Sequence, residues 1–239
     1  MSANLPVPFK NLFPLALALL LASITQAQEL RPLTFNPALE KASKKEQLGR
    51  LKRSDADTLT LPFTDDFSYE GPFPLDSLWL DNKAFVNTTM AIDPPTYGVA
   101  TLDGLDAKGQ PYNPEKDNRN SSEPTDTLTS TWVDLEKLDS ETEPVYFSFW
   151  FQEKGIGDIP EKVDSLVVQF RIKQDTPRWR TVFSQKGSGK DSRTEPVEGT
   201  VLINLASLDS AARFYHSGFQ FRFLTYGNLS GNMRSAKIL

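Results

Sequence analysis

Cysteine is absent from this chain of 239 residues, and histidine occurs once. Without thiols there is no disulfide to staple a fold, no thiolate nucleophile and no thiolate metal site. A single imidazole in addition excludes zinc and other soft-metal centres. That histidine, His216, would have to serve any serine triad, yet no Gly-x-Ser-x-Gly elbow supplies a nucleophile. It reads instead as a hydrogen-bonding residue at a sheet end. A concentrated basic face is also lacking, and the net charge is -5 at pH 7. This balance argues against nucleic acid or an anionic membrane as partner. Apolar runs long enough to cross a membrane are missing throughout. Helical periodicity is nearly missing as well, with Leu205 to Phe214 holding at most one short turn.

What is present begins with an export signal. Lys10 supplies a positive start, Leu12 to Ile24 an apolar stretch, and Thr25-Gln26-Ala27 a small-residue cleavage site. The apolar stretch is shorter than the roughly 20 residues a bilayer crossing needs, so residues 1–27 read as a cleaved signal peptide. With no cysteine near the cleavage site, a lipid anchor is excluded. The expected location is the periplasm, the cell surface or the exterior. In such an oxidising compartment a chain without disulfides must draw its stability from burial. Residues 28–60 are charged and small, with Lys41, Lys44, Lys45, Arg50, Lys52 and Arg53 set among few large apolar side chains. They read as a solvated leader, extended or partly helical, outside the core.

Residues 61–239 read as one domain. Val145, Phe147, Phe149 and Phe151 alternate with Tyr146, Ser148, Trp150 and Gln152. Leu166, Val168, Phe170 and Ile172 alternate with Gln169, Arg171 and Lys173. Val201, Ile203 and Leu205 repeat the pattern, as do Tyr215, Phe219, Phe221 and Phe223 against Gln220 and Arg222. Period two with one apolar face predicts sheets packed on one side, as in a sandwich. Shorter strands are expected at Ala84 to Val86, Gly98 to Leu102, Thr127 to Val133 and Trp179 to Phe183. Glu115 to Thr125 and Gln185 to Glu195 read as exposed loops. Gly187-Ser188-Gly189-Lys190 lacks the spacing and the following helix of a phosphate loop. Strands about 10 to 20 residues apart, with long irregular excursions, favour an all-β antiparallel jelly roll over an immunoglobulin-type domain.

The longest excursion, Leu61 to Tyr112, interleaves Phe63, Phe67, Tyr69, Phe73, Trp79, Phe85 and Tyr97 with Gly71, Pro72, Pro74, Pro94, Pro95, Gly98, Gly104 and Gly109. A flexible linker would lack the aromatics and a helix would lack the turn formers, so the segment is a loop pinned to a β scaffold. Asp65-Asp66-Phe67-Ser68, Leu78-Trp79-Leu80-Asp81, Gly98 to Leu105, Val145 to Phe149, Gly155-Ile156-Gly157-Asp158, Asp164 to Phe170 and Gly218 to Phe223 together carry a resemblance. Over Leu61 to Asn232 the chain resembles concanavalin A-like jelly-roll domains, related to MAM and laminin-G modules, of secreted and cell-surface Bacteroidetes proteins. Proteins of that group often carry further domains and a sorting module for type IX secretion. Similar domains run past the Asn228 to Asn232 turn into another strand, whereas here Met233 to Leu239 follows. The resemblance therefore implies a sandwich lacking its last strand, with an unpaired sheet edge.

Several chemistries can be tested on the residues. Retaining glycoside hydrolysis needs two carboxylates about 5 to 5.5 Å apart facing a cleft. The Glu-x-Asp-x-x-Glu strand of laminarinase-like jelly rolls does not occur, and Glu141 and Glu143 sit beside Pro144 in a turn. Asp65, Asp66 and Asp103 are the candidate calcium ligands, on ligand type alone. Trp79 and Trp150 are the candidate glycan platforms, Trp150 because it lies opposite the Phe147, Phe149 and Phe151 row. The Asp-Ser/Thr-aliphatic triplets at Thr58, Ser77, Thr127, Ser165 and Ser210 resemble the O-glycosylation sequon of exported Bacteroidetes proteins. The expectation is a non-catalytic exported jelly-roll domain for adhesion, or for recognition of glycan or a cell-surface protein, at the bacterial envelope. The alternatives are a degenerate or accessory domain of a polysaccharide hydrolase, or a gene fragment without function.

Overall fold

A computed structural model of the protein describes residues 35–46, 58–115, 122–175, 177–189, 197–202, 214–230 and 236–238. All of these belong to one compact unit, Pro32–Leu239. The signal peptide, most of the leader, Ile203, Leu205 and Ser210 lie outside the described residues. Among the described residues the architecture is all-β, with one short α-helix. No helix there is long and apolar enough to cross a membrane.

One sheet holds β1 (Thr58–Leu59), β4 (Glu123–Thr129), β5 (Trp132–Val133), β7 (Ser165–Ile172), β8 (Arg180–Lys186) and β10 (Phe219–Gly227). Its order is β1-β5-β10-β7-β8, with β4 also on β10. It is mixed, because β1 runs parallel to β5 while the other pairs are antiparallel. Thr58 and Leu59, assigned by composition to the leader, thus form an edge of this sheet. The second sheet holds β2 (Phe85–Asn87), β3 (Val99–Leu102), β6 (Tyr146–Gln152), β9 (Val197–Leu202) and β11 (Ala236–Ile238). It is antiparallel throughout, in the order β2-β3-β11-β6-β9.

The two sheets share one core. The inward row of β6 meets the inward row of β10: Phe147 lies 4.7 Å from Phe221 and Phe149 lies 5.1 Å from Phe223, centroid to centroid. Phe170 on β7 stands edge-on to both Phe147 and Phe219. Such tilted and T-shaped pairs suit ring quadrupoles and add to the area they bury. On β6, β7 and β10 alternation therefore predicts the inward phenylalanine rows, with two departures in the polar rows, Gln152 and Gln220, both fully buried. Gln152, assigned to the outer row of β6, is fully buried, where its amide accepts from the Ile92 N–H (3.0 Å) and donates to the Ile92 carbonyl (2.7 Å). A buried side-chain amide with both groups paired costs little, and here it ties a loop to the sheet.

The expectation of an absent last strand meets a different finding. Ala236–Ile238 forms β11, which pairs Ala236, Lys237 and Ile238 with Leu102, Thr101 and Ala100 of β3. On its other side Lys237 and Ile238 pair with Gln152 and Phe151 of β6. Three residues are too few for a period-two pattern to show in sequence, but Ile238 is buried at 3% exposure. Among the described residues β11 pairs with Gln152 and Phe151, and Tyr146 to Trp150 have β9 along one edge and no described strand along the other.

The aromatic excursion is pinned where a side chain would not fit. A Cβ on Gly98 would stand 1.8 Å from the Phe67 carbonyl oxygen, so the two backbones touch. Phe67 itself has φ 53°, an uncommon conformation for a bulky residue. It is held there by an Asp65 carboxylate oxygen accepting its N–H at 2.8 Å and by its ring stacked on Trp79. Ahead of the sheets, α1 (Pro37–Glu46) is capped by Asn36, whose Oδ1 accepts from the Ala38 and Leu39 N–H groups. Leu39 is fully buried, and the Asn36 backbone N–H donates to the Gly109 carbonyl.

Candidate functional site

The gap beside β6 opens into a cleft of about 730 Å³. Its floor is core: Phe149, Phe221, Phe223 and Val133 line it. One wall is the aromatic excursion with Asp65 and Trp79, and the other is the edge of β6 along which no described strand pairs with Tyr146 to Trp150. On the outer face of β6, Tyr146 (65% exposed), Ser148 and Trp150 (38% exposed) form a row along its lip. Tyr146 and Trp150 are four strand positions apart, roughly 13 Å, on one side of the pleat.

The two candidate tryptophans part company here. Trp150 faces outward, as its place in the alternation requires. Trp79 is 4% exposed, stacked on Phe67 and edge-on to Phe63 and Phe221. Its indole N–H donates to Asp65 at 2.6 Å. Trp79 is a core residue at the cleft wall, and its ring is not offered to solvent as a sugar platform.

The candidate calcium ligands are spread over two places. Asp65 is half-buried and accepts from Trp79, the Phe67 N–H and the Tyr69 hydroxyl. Burial raises its pKa against those hydrogen bonds. Asp66 is exposed and accepts from the Ser68 N–H, a turn contact. Hydrogen bonds from Ser68 hold its carboxyl below the usual range. Asp103 is buried after β3, where it accepts from the Leu105 N–H and lies in the field of Asp126. No three His, Asp or Glu side chains converge among the described residues.

Two further carboxylates bond to β4 or lie on it, Asp126 buried and Asp81 half-buried. Asp126 on β4 accepts from the Gly104 N–H (2.6 Å) and the Tyr112 hydroxyl (2.8 Å). Desolvation, then the charge of Asp103, pushes its pKa well above the ordinary value. Asp81 accepts from the Thr127 hydroxyl and the Thr129 N–H, and burial raises its pKa too. These groups tie loops to β4; neither borders the cleft. Glu141 and Glu143 belong to a turn around Asp139, which offers its own carboxylate to the Glu141 N–H while its N–H donates to Glu143. His216 accepts the Gly218 N–H at Nδ1, 3.1 Å, and meets Gln174 at Nε2, a strand-end role.

A second feature lies on the outer face of the six-stranded sheet. Arg171 and Arg222 place their guanidinium carbons 4.3 and 4.2 Å from the Trp179 ring centroid. Arg171 also lies 5.1 Å from Trp132, over which Lys173 hangs at 5.9 Å. Gln220 and Gln169 accept from the Arg171 and Arg222 Nε–H groups and fix both forks. Desolvation lowers both pKa values, and for Arg222 the like charge of Arg171 adds to it. The polar rows of β7 and β10 contained these arginines in sequence; only their strand pairing showed that they share one ring.

Of the sequon residues, Thr58 and Ser77 are exposed, Ser165 is half-buried, and Thr127 is half-buried with its hydroxyl donated to Asp81. No protein-family model matches the chain, and no curated protein matches it.

Proposed function

We propose that the chain is an exported, non-catalytic jelly-roll domain of the concanavalin A-like type, serving adhesion or glycan recognition at a bacterial cell envelope. The observation that carries this reading is the row Tyr146, Ser148 and Trp150 at the cleft lip. Large rings normally find cover, and two on one outward strand face, with a hydroxyl between them, suit the apolar faces and hydroxyls of a polysaccharide. The acidic residues support the same reading, since Asp65, Asp81 and Asp126 spend their oxygens on internal donors.

The test is a glycan array read with the folded protein and with Trp150→Ala and Tyr146→Ala. Binding to a defined glycan class, weakened about ten-fold by either substitution, is expected from losing one stacked ring. A hit unaffected by both would remove the row from the site. Cleavage of a polysaccharide, abolished by one carboxylate substitution, would replace this reading with that of a hydrolase. No hit on a folded sample, together with melting indifferent to calcium, would leave a structural spacer or an inert fragment.

A further inference from the structure

Strand pairing sets Arg171 on β7 and Arg222 on β10 side by side on the outer face of the six-stranded sheet. Arg171 lies opposite Gln220 and Arg222 opposite Gln169, so the two arginines are diagonal neighbours, about 7–8 Å apart. Each donates its Nε–H to the glutamine across from it, Arg171 at 2.6 Å and Arg222 at 2.8 Å. Both glutamines are anchored in turn, since Gln220 donates to the Ser130 carbonyl and Gln169 to the Thr181 hydroxyl. Both guanidinium groups lie over Trp179, and Arg171 also lies over Trp132. Lys173, two residues beyond Arg171, is exposed and stands over Trp132 as well. Three cations thus follow one another along a row whose two forks are held in place by neighbouring side chains.

The charges of this row are not neutralised from within. Among the described residues no carboxylate is ion-paired to either arginine, and no acceptor takes an Nη–H of either. Asp81 acts on Arg222 through its field, but its oxygens accept from the Thr127 hydroxyl and the Thr129 N–H. The like charge of Arg171 adds to desolvation in lowering the Arg222 pKa. Two like charges fixed together in half-buried positions cost free energy, which an anion seated on both would recover. In a chain of net charge -5 the row is a local exception, and it selects for partners of opposite sign. A fork whose Nε is occupied still presents its two Nη groups, a planar pair that matches the two oxygens of a carboxylate.

A row of cations suits a row of carboxylates on one linear chain. Nucleic acid fits badly, because its binders engage about six to ten phosphates and this row has three cations. A peptide laid here would find no strand edge for its backbone, since β7 is bonded to β10 and β8, and β10 to β7, β4 and β5. A glycan of uronic acids brings one carboxylate per acidic sugar, together with hydroxyls that can meet the exposed Thr181 and Gln174 beside the row. We propose that Arg222, Arg171 and Lys173 form a binding site for an acidic polysaccharide, with uronate carboxylates seated on the two guanidinium forks. This site goes beyond recognition at the Tyr146 to Trp150 row and does not depend on it.

The probe is a decamer of galacturonic acid, titrated into the full chain by calorimetry at about 50 mM salt. Saturable binding is expected, weakened about five-fold at about 300 mM salt by screening. Methyl-esterifying the same decamer removes its charges and should weaken binding ten-fold or more. Arg222→Lys keeps the charge but loses the fork, and on a sample shown to be folded it should weaken binding about ten-fold. Lys173→Gln alters an exposed side chain and should weaken binding about three-fold with Tm unchanged. No binding to folded protein overturns the proposal, as does equal binding of the esterified decamer. Full affinity in Arg222→Lys would reduce the contact to diffuse charge and overturn the site too. A decamer of glutamic acid bound more tightly than the uronate would give the row to an acidic protein and overturn the glycan assignment. Trp150→Ala should leave uronate affinity within about two-fold. Loss of uronate binding in that variant would place the glycan on the β6 row, sinking this site while leaving the reading of that row intact.

Discussion

The six-stranded and five-stranded sheets are written in the same alphabet and finished differently. β10 and β6 each carry an alternating row of phenylalanines, and the rows face each other across one core. β10 is bonded to β7 along its whole inner stretch, from Phe219↔Ile172 to Tyr226↔Ser165, and to β4 and β5 on its other edge. Among the described residues β6 is bonded from Tyr146 to Phe151 along one edge and at two residues along the other. The pattern of side chains therefore decides which face turns inward, while the supply of neighbouring strands decides whether that face is sealed.

The largest effect should come from truncating a ring on each side of this divide. Phe170 is fully buried in the closed sheet and packs on Phe147, Phe214 and Phe219. Phe170→Ala should cost about 3–5 kcal/mol in chemical denaturation, the usual range for a Phe cavity. Phe149 borders the cleft, so Phe149→Ala should cost about 2 kcal/mol, because part of its surroundings is already open. Equal costs, or the reverse order, would break the contrast between a sealed and an unsealed side.

A smaller effect tests the closed sheet's electrostatics. Asp126 sits on β4 with its pKa raised by burial and by Asp103. A raised carboxyl binds more protons folded than unfolded, so its stabilising contribution is complete below the unfolded value of about 3.9 and is lost as pH rises through the folded value. Asp65 and Asp81 are shifted the same way. The Tm should therefore fall as the pH rises above about 4, the unfolded carboxyl value. Asp126→Asn keeps an acceptor for the Gly104 N–H and should flatten that fall. An equally steep profile in the variant would assign the slope elsewhere.

The smallest effect belongs to the outer face. Trp179→Ala removes the ring shared by Arg171 and Arg222 and should cost about 1 kcal/mol, a cation–π contribution at a half-exposed site. A loss near that of Phe170→Ala would mean that the ladder supports the sheet as much as the core does.

Much of this division was legible beforehand. The long strands β6, β7 and β10 announced themselves because each has three or four apolar positions at period two, enough for the pattern to repeat. Thr127 to Val133, read as one strand, is two, β4 and β5. It breaks at Ser130 and Thr131, where the Thr131 N–H turns to the Leu78 carbonyl and Ser130 bridges to Trp79. That break serves the aromatic excursion, a long-range partner that no local window contains. Trp79 lies outside any periodic run, so nothing local says that its ring is buried. Trp150, in a periodic run, was placed correctly. The place of β11 between β3 and β6 was the least accessible feature, since three residues are too few to show a period.

The contact between Gly98 and Phe67 has a consequence for tolerance to change. Position 98 follows a proline-rich turn and precedes a short strand, the kind of site where library designers expect freedom. With a carbonyl oxygen 1.8 Å from where any Cβ would go, every other amino acid must push the excursion off β3. One hydrogen atom is the whole allowance there, so an error at a single codon would undo the wall that carries Asp65 and Trp79.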